Sequence, residues 1–384
     1  MIPITKPYIE SKDIKYLKDV INSKIFTDGK YQKKTEYFIK KKIKSKFIAL
    51  TQSCTAALEI SAILLNLKKG DEVILPSYGF VSIANAIVLR GAKPIFVDVD
   101  PDTLNISAYD IEKKITKKTV AIYLIHYAGH SCNLEKILKI KKKYNIFLIE
   151  DAAHAFFAKY KNKYLGTIGD IGVFSFHETK NFISGQGGCI SINNKKLIKR
   201  ANYILDKGTD RREFIKDYKK KIINSSNLKN FYSWVDLGSE YRASELSSAL
   251  LYSQLIKNKI IQNKRMFIWK KYEKLFKKLK KKITYIKPLK NTYSSYHLMV
   301  IIFKDLEICN EFKKFMKSKK IAATFHYVPL HTSKMGKIYS KSKLPNTESL
   351  FQKVVRLPLF PNMTIPEFNK IEKTIKEFFK KDFS

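Results

Sequence analysis

Residues 174–188, FSFHETKNFISGQGG, decide how this chain is read. They set one lysine, Lys180, between a short apolar run at 172–176 and a glycine-rich turn at Gly185, Gly187 and Gly188. Upstream, a second apolar run at 146–150 ends in Asp151-Ala152-Ala153-His154. Short apolar runs bounded by turn residues read as buried strands. One strand therefore delivers a carboxylate at its carboxyl end, and the next delivers a lysine.

Working outward, strands are predicted at 46–50, 71–76, 94–99 and 119–125, with helices at 55–65, 81–90, 108–115 and 133–144 between them. That alternation predicts parallel βαβ units and a doubly wound α/β sheet, closed by a strand at 189–193. In such sheets ligands sit beyond the carboxyl ends of the strands. Thr55, Phe80, His126, Asp151 and Ser175 all fall just past predicted strand ends. The turn 51–55, TQSCT, opens the helix at 55, so it is either a phosphate cradle of free N–H groups or an ordinary Ser/Thr cap. A carboxylate and a lysine facing each other suit pyridoxal phosphate chemistry. The lysine condenses with the aldehyde, and the aspartate keeps the pyridine nitrogen protonated.

The C-terminal part of the chain, from about 280 onward, adds a smaller lobe. An extended entry at 2–7 leads to a helix at 11–23, and a helix at 195–205 follows the sheet. Residues 208–229 are polar and lysine-rich and read as an exposed loop. One long helix at 244–277 links to strands at 296–303 and 322–327 and helices at 306–318, 348–355 and 365–379. The expected division is a large cofactor-binding domain, 1–250, and a small C-terminal α/β domain, 251–384.

Composition sets bounds on function. With 45% hydrophobic residues in 384, a globular core is expected. The net charge of +40 invites a nucleic-acid reading. The excess is nearly all lysine, spread end to end, and no arginine-rich block or nucleic-acid motif accompanies it. No nucleic-acid partner is therefore expected, while a small anionic substrate is favoured. Cys54, Cys132, Cys189 and Cys309 have no metal spacing and read as reduced thiols. No apolar run reaches the roughly 18–20 residues of a membrane span. A soluble, cytoplasmic protein with no membrane partner is expected.

Several runs together are specific. Pro76-Ser-Tyr-Gly-Phe-Val-Ser82, His126-Tyr-Ala-Gly129, Glu150-Asp-Ala-Ala153, Phe174-Ser-Phe-His-Glu-Thr-Lys-Asn181, Phe325-His-Tyr-Val-Pro-Leu-His331 and Arg356-Leu-Pro-Leu-Phe360 carry a resemblance along nearly the whole chain. The chain resembles the pyridoxal phosphate-dependent nucleotide-sugar aminotransferases (DegT/DnrJ/EryC1/StrS type) of the aspartate aminotransferase fold, fold-type I. Within them it is most similar to enzymes that aminate dTDP-4-keto-6-deoxy-glucose at C4.

The resemblance implies roles, residue by residue. Lys180 is the Schiff-base lysine and proton carrier, and Asp151 the pyridinium partner. His154 stands beside the ring's phenolate oxygen, or is a structural histidine. Phe80 lies over the ring, or is a core aromatic. Thr55 and Ala56 offer backbone donors to the phosphate, and Ser175 offers a hydroxyl. His326 and His331 belong to the sugar pocket, or to packing. Arg242 serves an anionic group across a homodimer interface. Two departures stand out: Glu240 where the family has an asparagine on the cofactor phosphate, and Gln186 in a turn that is usually Gly-Glu-Gly-Gly.

The implied reaction is transfer of the amino group of L-glutamate to dTDP-4-keto-6-deoxy-D-glucose. The product, dTDP-4-amino-4,6-dideoxy-D-galactose, would feed lipopolysaccharide O-antigen or enterobacterial common antigen. Alternatives are a 3-keto aminotransferase or, in another class, a non-catalytic polyanion-binding protein.

Overall fold

The computed structural model describes residues 1–215, 231–279 and 283–380. After helices α1 (Ile14–Ser23) and α2 (Lys30–Ile43), strands and helices alternate: β1 (Phe47–Thr51), α3 (Cys54–Leu64), β2 (Glu72–Pro76), α4 (Ser82–Val88) and β3 (Lys93–Val97). Then come α5 (Ala108–Lys114), β4 (Thr119–Ile125), α6 (Leu134–Tyr144) and β5 (Phe147–Asp151). A short ribbon, β6 (Lys159–Tyr160) and β7 (Lys163–Tyr164), precedes β8 (Ile171–Ser175), β9 (Gly188–Ile192) and α7 (Ile198–Leu205).

Seven of these strands form one sheet in the order β1-β9-β8-β5-β4-β2-β3. β3, β2, β4, β5 and β8 are mutually parallel, but β9 runs antiparallel to both β1 and β8. It does not close an edge; it is inserted between two strands. The connection 176–187 contains no helix to carry the chain back for a parallel strand, so the chain returns antiparallel. Period-two alternation buries both faces. Leu50, Ile74, Ile122, Leu124 and Leu148 pack on one side, and Ala49, Val73, Leu75, Tyr123, Ile149 and Ile190 on the other.

α2 has no counterpart in the sequence reading. It buries Tyr31, Thr35, Ile39 and Ile43, one residue every four, along a single stripe of an otherwise lysine-rich segment. The buried Glu245 caps it, accepting the N–H groups of Tyr31 and Gln32, the latter at 3.0 Å.

The expected helix 244–277 is two helices, Glu245–Leu255 and Asn258–Lys277. The chain breaks at Ile256 and Lys257, where the Lys257 ammonium is buried 2.6 Å from Asp13. The second helix contributes Ile261 to the large-sheet core and Ile268, Trp269 and Tyr272 to a separate one. That second core lies against a three-stranded sheet of β10 (Ile283–Tyr285), β12 (Met299–Phe303) and β13 (Val354–Leu357), while β11 (Thr292–Tyr293) extends the β6–β7 ribbon. The change of core falls between Ile261 and Ile268, so we propose a domain boundary inside this helix and not at the expected 250/251.

Three further expectations are corrected. Residues 322–327 form no strand; they pair with β13 at a single bridge, Thr324–Arg356. The helix expected at 348–355 spans Pro345–Leu350. The β-branched Val354 and Val355 then pair with β12 instead. The expected loop 208–229 turns helical at 211–215, and its remainder from 216 lies outside the described residues.

Candidate active site

The site lies at the carboxyl ends of the parallel strands. β5 ends on Asp151 and β8 on Ser175, neighbouring parallel strands with Asp151 opposite Val173. Lys180 sits in the loop between β8 and β9. The loop is closed by Phe176 N–H to Gly187 (2.8 Å), Glu178 N–H to Gly185 (2.9 Å) and Ser184 N–H to Phe176 (2.8 Å). β1 ends at Thr51 and hands over to α3, whose first residues face the same space. Gly188 opens β9 directly beneath them. A Cβ there would lie 2.4 Å from the Cys54 nitrogen and the Ser53 carbonyl carbon, so only glycine lets strand and helix start approach this closely.

These elements enclose a cavity of about 430 Å³. Lys180, Asp151, His154, Thr55, Phe80, Ser175 and His326 all line it. The Thr55 hydroxyl is 2.7 Å from that of Ser82, the first residue of α4. One carboxylate oxygen of Asp151 accepts the Ala153 N–H at 2.9 Å. The other has no hydrogen-bond partner among the described residues. Phe80 stays 60% exposed at the rim, an apolar ring with no protein partner over most of its surface.

Electrostatics favour reactive forms. Burial lowers the Lys180 pKa, with the nearby Asp151 carboxylate opposing the shift only in part. Burial likewise raises Asp151, against the Ala153 N–H and the Lys180 charge. Each member of the pair is thus affected more by loss of water than by the other's charge. Burial and the Lys180 charge hold His154 well below its usual value, so it is neutral. Its Nδ1 accepts the Ala128 N–H at 3.3 Å, which leaves the proton on Nε2, 3.2 Å from the Tyr327 hydroxyl.

Two expected residues lie elsewhere, and Arg242, expected at a partner's site, stays outside this cavity. Ala56 does not line the cavity, and its N–H is taken by the Ser53 hydroxyl cap at 3.0 Å. Cys54 and Thr55 therefore carry the uncapped N–H groups at the start of α3. His331 is buried with both ring nitrogens engaged, Nδ1 2.6 Å from the Ser77 hydroxyl and Nε2 3.0 Å from Glu348, so no nitrogen is left for a sugar. Arg242 turns to Glu36 of its own chain at 3.5 Å and lines no part of this cavity. The departure at Glu240 has a simple geometry: its carboxylate pairs with Lys207.

The sequence reading passed over Cys54, Ser82 and Tyr327, which also line the cavity. Ser82 and Tyr327 stand inside runs already singled out, one opening the helix after Phe80 and the other next to His326. Their hydroxyls were the available signal. No cluster that could hold a metal ion and no helix able to cross a membrane occurs among the described residues.

The donor set fits pyridoxal phosphate. It offers an amine of lowered pKa, a carboxylate with one oxygen uncommitted, and hydroxyls at a helix start suited to a phosphate. Comparison with known proteins agrees. A sequence model of the DegT/DnrJ/EryC1/StrS aminotransferase family matches residues 7–376. An uncharacterized protein of Methanocaldococcus jannaschii is 34% identical over 385 residues, covering 98% of each chain. GDP-perosamine synthase of Escherichia coli O157:H7 is 31% identical over 383 residues, again covering 98% of each. The structure of Helicobacter pylori PseC, an aminotransferase involved in pseudoaminic acid biosynthesis, superposes with a TM-score of 0.88 at 25% identity, over 99% of this chain and all of the other. The fold is accordingly fold-type I, and the chain belongs to the DegT/DnrJ/EryC1/StrS family as a pyridoxal phosphate-dependent sugar aminotransferase.

Proposed function

We propose that this enzyme moves the amino group of L-glutamate to the C4 ketone of dTDP-4-keto-6-deoxy-D-glucose. The product would be dTDP-4-amino-4,6-dideoxy-D-galactose, a building block of surface polysaccharide such as O-antigen or enterobacterial common antigen. Transamination of a nucleotide sugar is the family's chemistry; the nucleotide and the ketone are the proposal. The observation that carries the transamination is that Lys180 and Asp151 face a single cavity; the runs that resemble the C4 aminotransferases are what support the nucleotide and the ketone.

Bound pyridoxal phosphate supplies an electron sink for the carbon that loses its proton. The protein's own residues do the rest. Lys180 Nζ takes that proton and returns it, a task suited to an amine whose pKa burial has lowered. Asp151 would keep the pyridine nitrogen protonated. The hydroxyls of Thr55, Ser82 and Ser175, with the first N–H groups of α3, would hold the phosphate. Phe80 would cover the ring, and His154 would offer its Nε2 proton to the phenolate oxygen. His326, on the cavity wall, is the remaining candidate for sugar contact.

A homodimer with shared sites is part of the proposal. Phe231 and Trp234 are 81% and 78% exposed, an apolar surface suited to a second copy. Arg242, unused in its own cavity, would serve the partner's.

A second reading, a GDP-linked 4-keto-6-deoxy sugar as substrate, is favoured by the similarity to GDP-perosamine synthase. The test is mass spectrometry of products from dTDP-4-keto-6-deoxy-glucose, its 3-keto isomer and the GDP-linked 4-keto-6-deoxy sugar, each with L-glutamate. Amination of the first at the highest kcat/KM supports the proposal, and preference for either other sugar replaces it.

A further inference from the structure

A second chamber, of about 230 Å³, adjoins the first. Lys180, Thr179, His154 and His326 line both. Beyond these shared residues its wall is mainly apolar, with Arg356 and His297 as the further basic side chains and no Asp or Glu.

Strand alternation aims Arg356 away from the small-domain core. Its neighbours Val355 and Leu357 pack into that core, whereas Val354, on the same face as Arg356, packs beside Tyr78, Tyr127 and Tyr327. The Arg356 Nε–H donates to the Phe325 carbonyl at 3.1 Å, which fixes the plane of the guanidinium. Its two terminal NH2 groups have no hydrogen bond or ion pair among the described residues. An arginine oriented by its backbone contact, short of an anion and walled by apolar groups, is built to take a carboxylate through two parallel hydrogen bonds.

His297 complements it. The Asn181 side-chain NH2 donates to the Ser295 carbonyl at 2.7 Å, so the Asn181 oxygen accepts from His297 Nδ1 at 2.8 Å. His297 Nε2 is then a lone pair, able to accept from an ammonium but not to bind an anion. The chamber thus pairs a carboxylate receptor with an ammonium acceptor, both near Lys180. Its volume is about half that of the main cavity, which suits an amino acid and not a nucleotide sugar.

We infer that Arg356 holds the α-carboxylate of the amino donor in this chamber, turning the donor's amino group toward Lys180. The inference rests on the transaminase reading. The two substrates then use different anchors: the donor binds at Arg356, and the nucleotide sugar in the larger cavity.

The test mixes holoenzyme, and its Arg356→Gln and Arg356→Lys variants, with L-glutamate alone, following the cofactor absorbance through the half-reaction. Glutarate, a dicarboxylate without an amino group, is titrated into each protein by calorimetry. Arg356→Gln should raise the half-saturating glutamate concentration roughly ten- to hundredfold at a nearly unchanged limiting rate. Glutarate affinity should fall by a similar factor, and Arg356→Lys, which keeps the charge, should recover part of both. The reverse half-reaction with the amino sugar product should keep its concentration dependence. Unchanged glutamate and glutarate dependence in Arg356→Gln overturns the inference, as does equal weakening toward the amino sugar. Failure of the unaltered enzyme to convert its cofactor with any amino acid would instead defeat the transaminase reading.

Discussion

His126 and Glu150 meet at 3.0 Å with neither side chain exposed to solvent, one position before the strand end that presents Asp151. His126 Nδ1 accepts the Cys132 N–H at 3.1 Å, so Nε2 carries the proton given to Glu150. Glu150 also accepts N–H groups from Gly166, Ile168 and Gly169 at 2.9, 2.7 and 2.6 Å. Burial would raise its pKa, but the hydrogen bond from His126 and these N–H groups outweigh it and hold the carboxyl below its ordinary range. A depressed carboxyl contributes stability that is present above the unfolded value, about 4.3, and is lost as pH falls through the folded value. Glu150→Gln should therefore cost about 3–5 kcal/mol at neutral pH and flatten the fall in stability below pH ~4. Thermal midpoints between pH 7 and 3 check both; an unchanged acid limb would count against the assignment.

How much of this was legible from sequence follows the physics of each segment. Parallel strands buried on both faces are continuous apolar runs, so β2, β4, β5 and β8 were found, and with them the positions of Asp151 and Lys180. α2 was hidden because its buried stripe passes through Thr35 in a lysine-rich stretch. The antiparallel β9 reads like any other strand, since direction is set by the connection and not by composition. Arg356 and His297 come from different strand neighbourhoods of the small domain. Only tertiary structure brings them to Lys180.

The chemistry predicts a division between the two central residues. Lys180→Ala should retain a folded protein and lose turnover by at least about 10³-fold, because nucleophile and proton carrier go together. Asp151→Asn should lower turnover by roughly 10²-fold while Lys180 still condenses with the cofactor, since only the charge supporting the ring nitrogen is removed. Absorbance spectra and steady-state rates separate the two. Full activity in Lys180→Ala would remove Lys180 from its role.

Burial fixes a pH dependence for the same amine. Lys180 is held below its ordinary value, so its neutral form is reached at a lower pH than for an exposed lysine. The rate of the glutamate half-reaction should rise with pH through that lowered value and level off above it. Removing the charge of Asp151, which raises the Lys180 pKa, should move the rise to lower pH. A rate profile for the Asp151→Asn variant displaced to higher pH would contradict this electrostatic arrangement.

Gly188 tests how α3 is positioned. A methyl group at this residue collides with the backbone of Ser53 and Cys54, which cannot swing aside as a side chain would. Gly188→Ala should cost about 1–3 kcal/mol and push the start of α3 out of register with Ser82 and Ser175. The distinctive consequence is at the cofactor: affinity for pyridoxal phosphate should fall more than tenfold, measured by titration of the apo-protein. Gly185→Ala is the control. No atom lies within 4 Å of a Cβ there, although its φ of +79° imposes local strain. It should cost some stability and leave cofactor affinity within about twofold.

His331 separates packing from substrate contact. It bridges Ser77, at the end of β2, and Glu348, and its own backbone N–H donates to the Ser77 hydroxyl at 3.2 Å. Its removal leaves the hydroxyl and the carboxylate short of a partner, which costs about 1–3 kcal/mol. His331→Ala should therefore lower the thermal midpoint while the folded enzyme keeps its KM for the nucleotide sugar. His326 is the contrast. It lines the cavity, and its Nδ1 sits 2.8 Å from the Tyr127 hydroxyl. His326→Ala should raise the KM for the sugar several-fold with a smaller loss of stability. If His331→Ala raised KM as much as His326→Ala, the segment 325–331 would act on the sugar as one unit, and the distinction drawn from the hydrogen bonds of His331 would be lost.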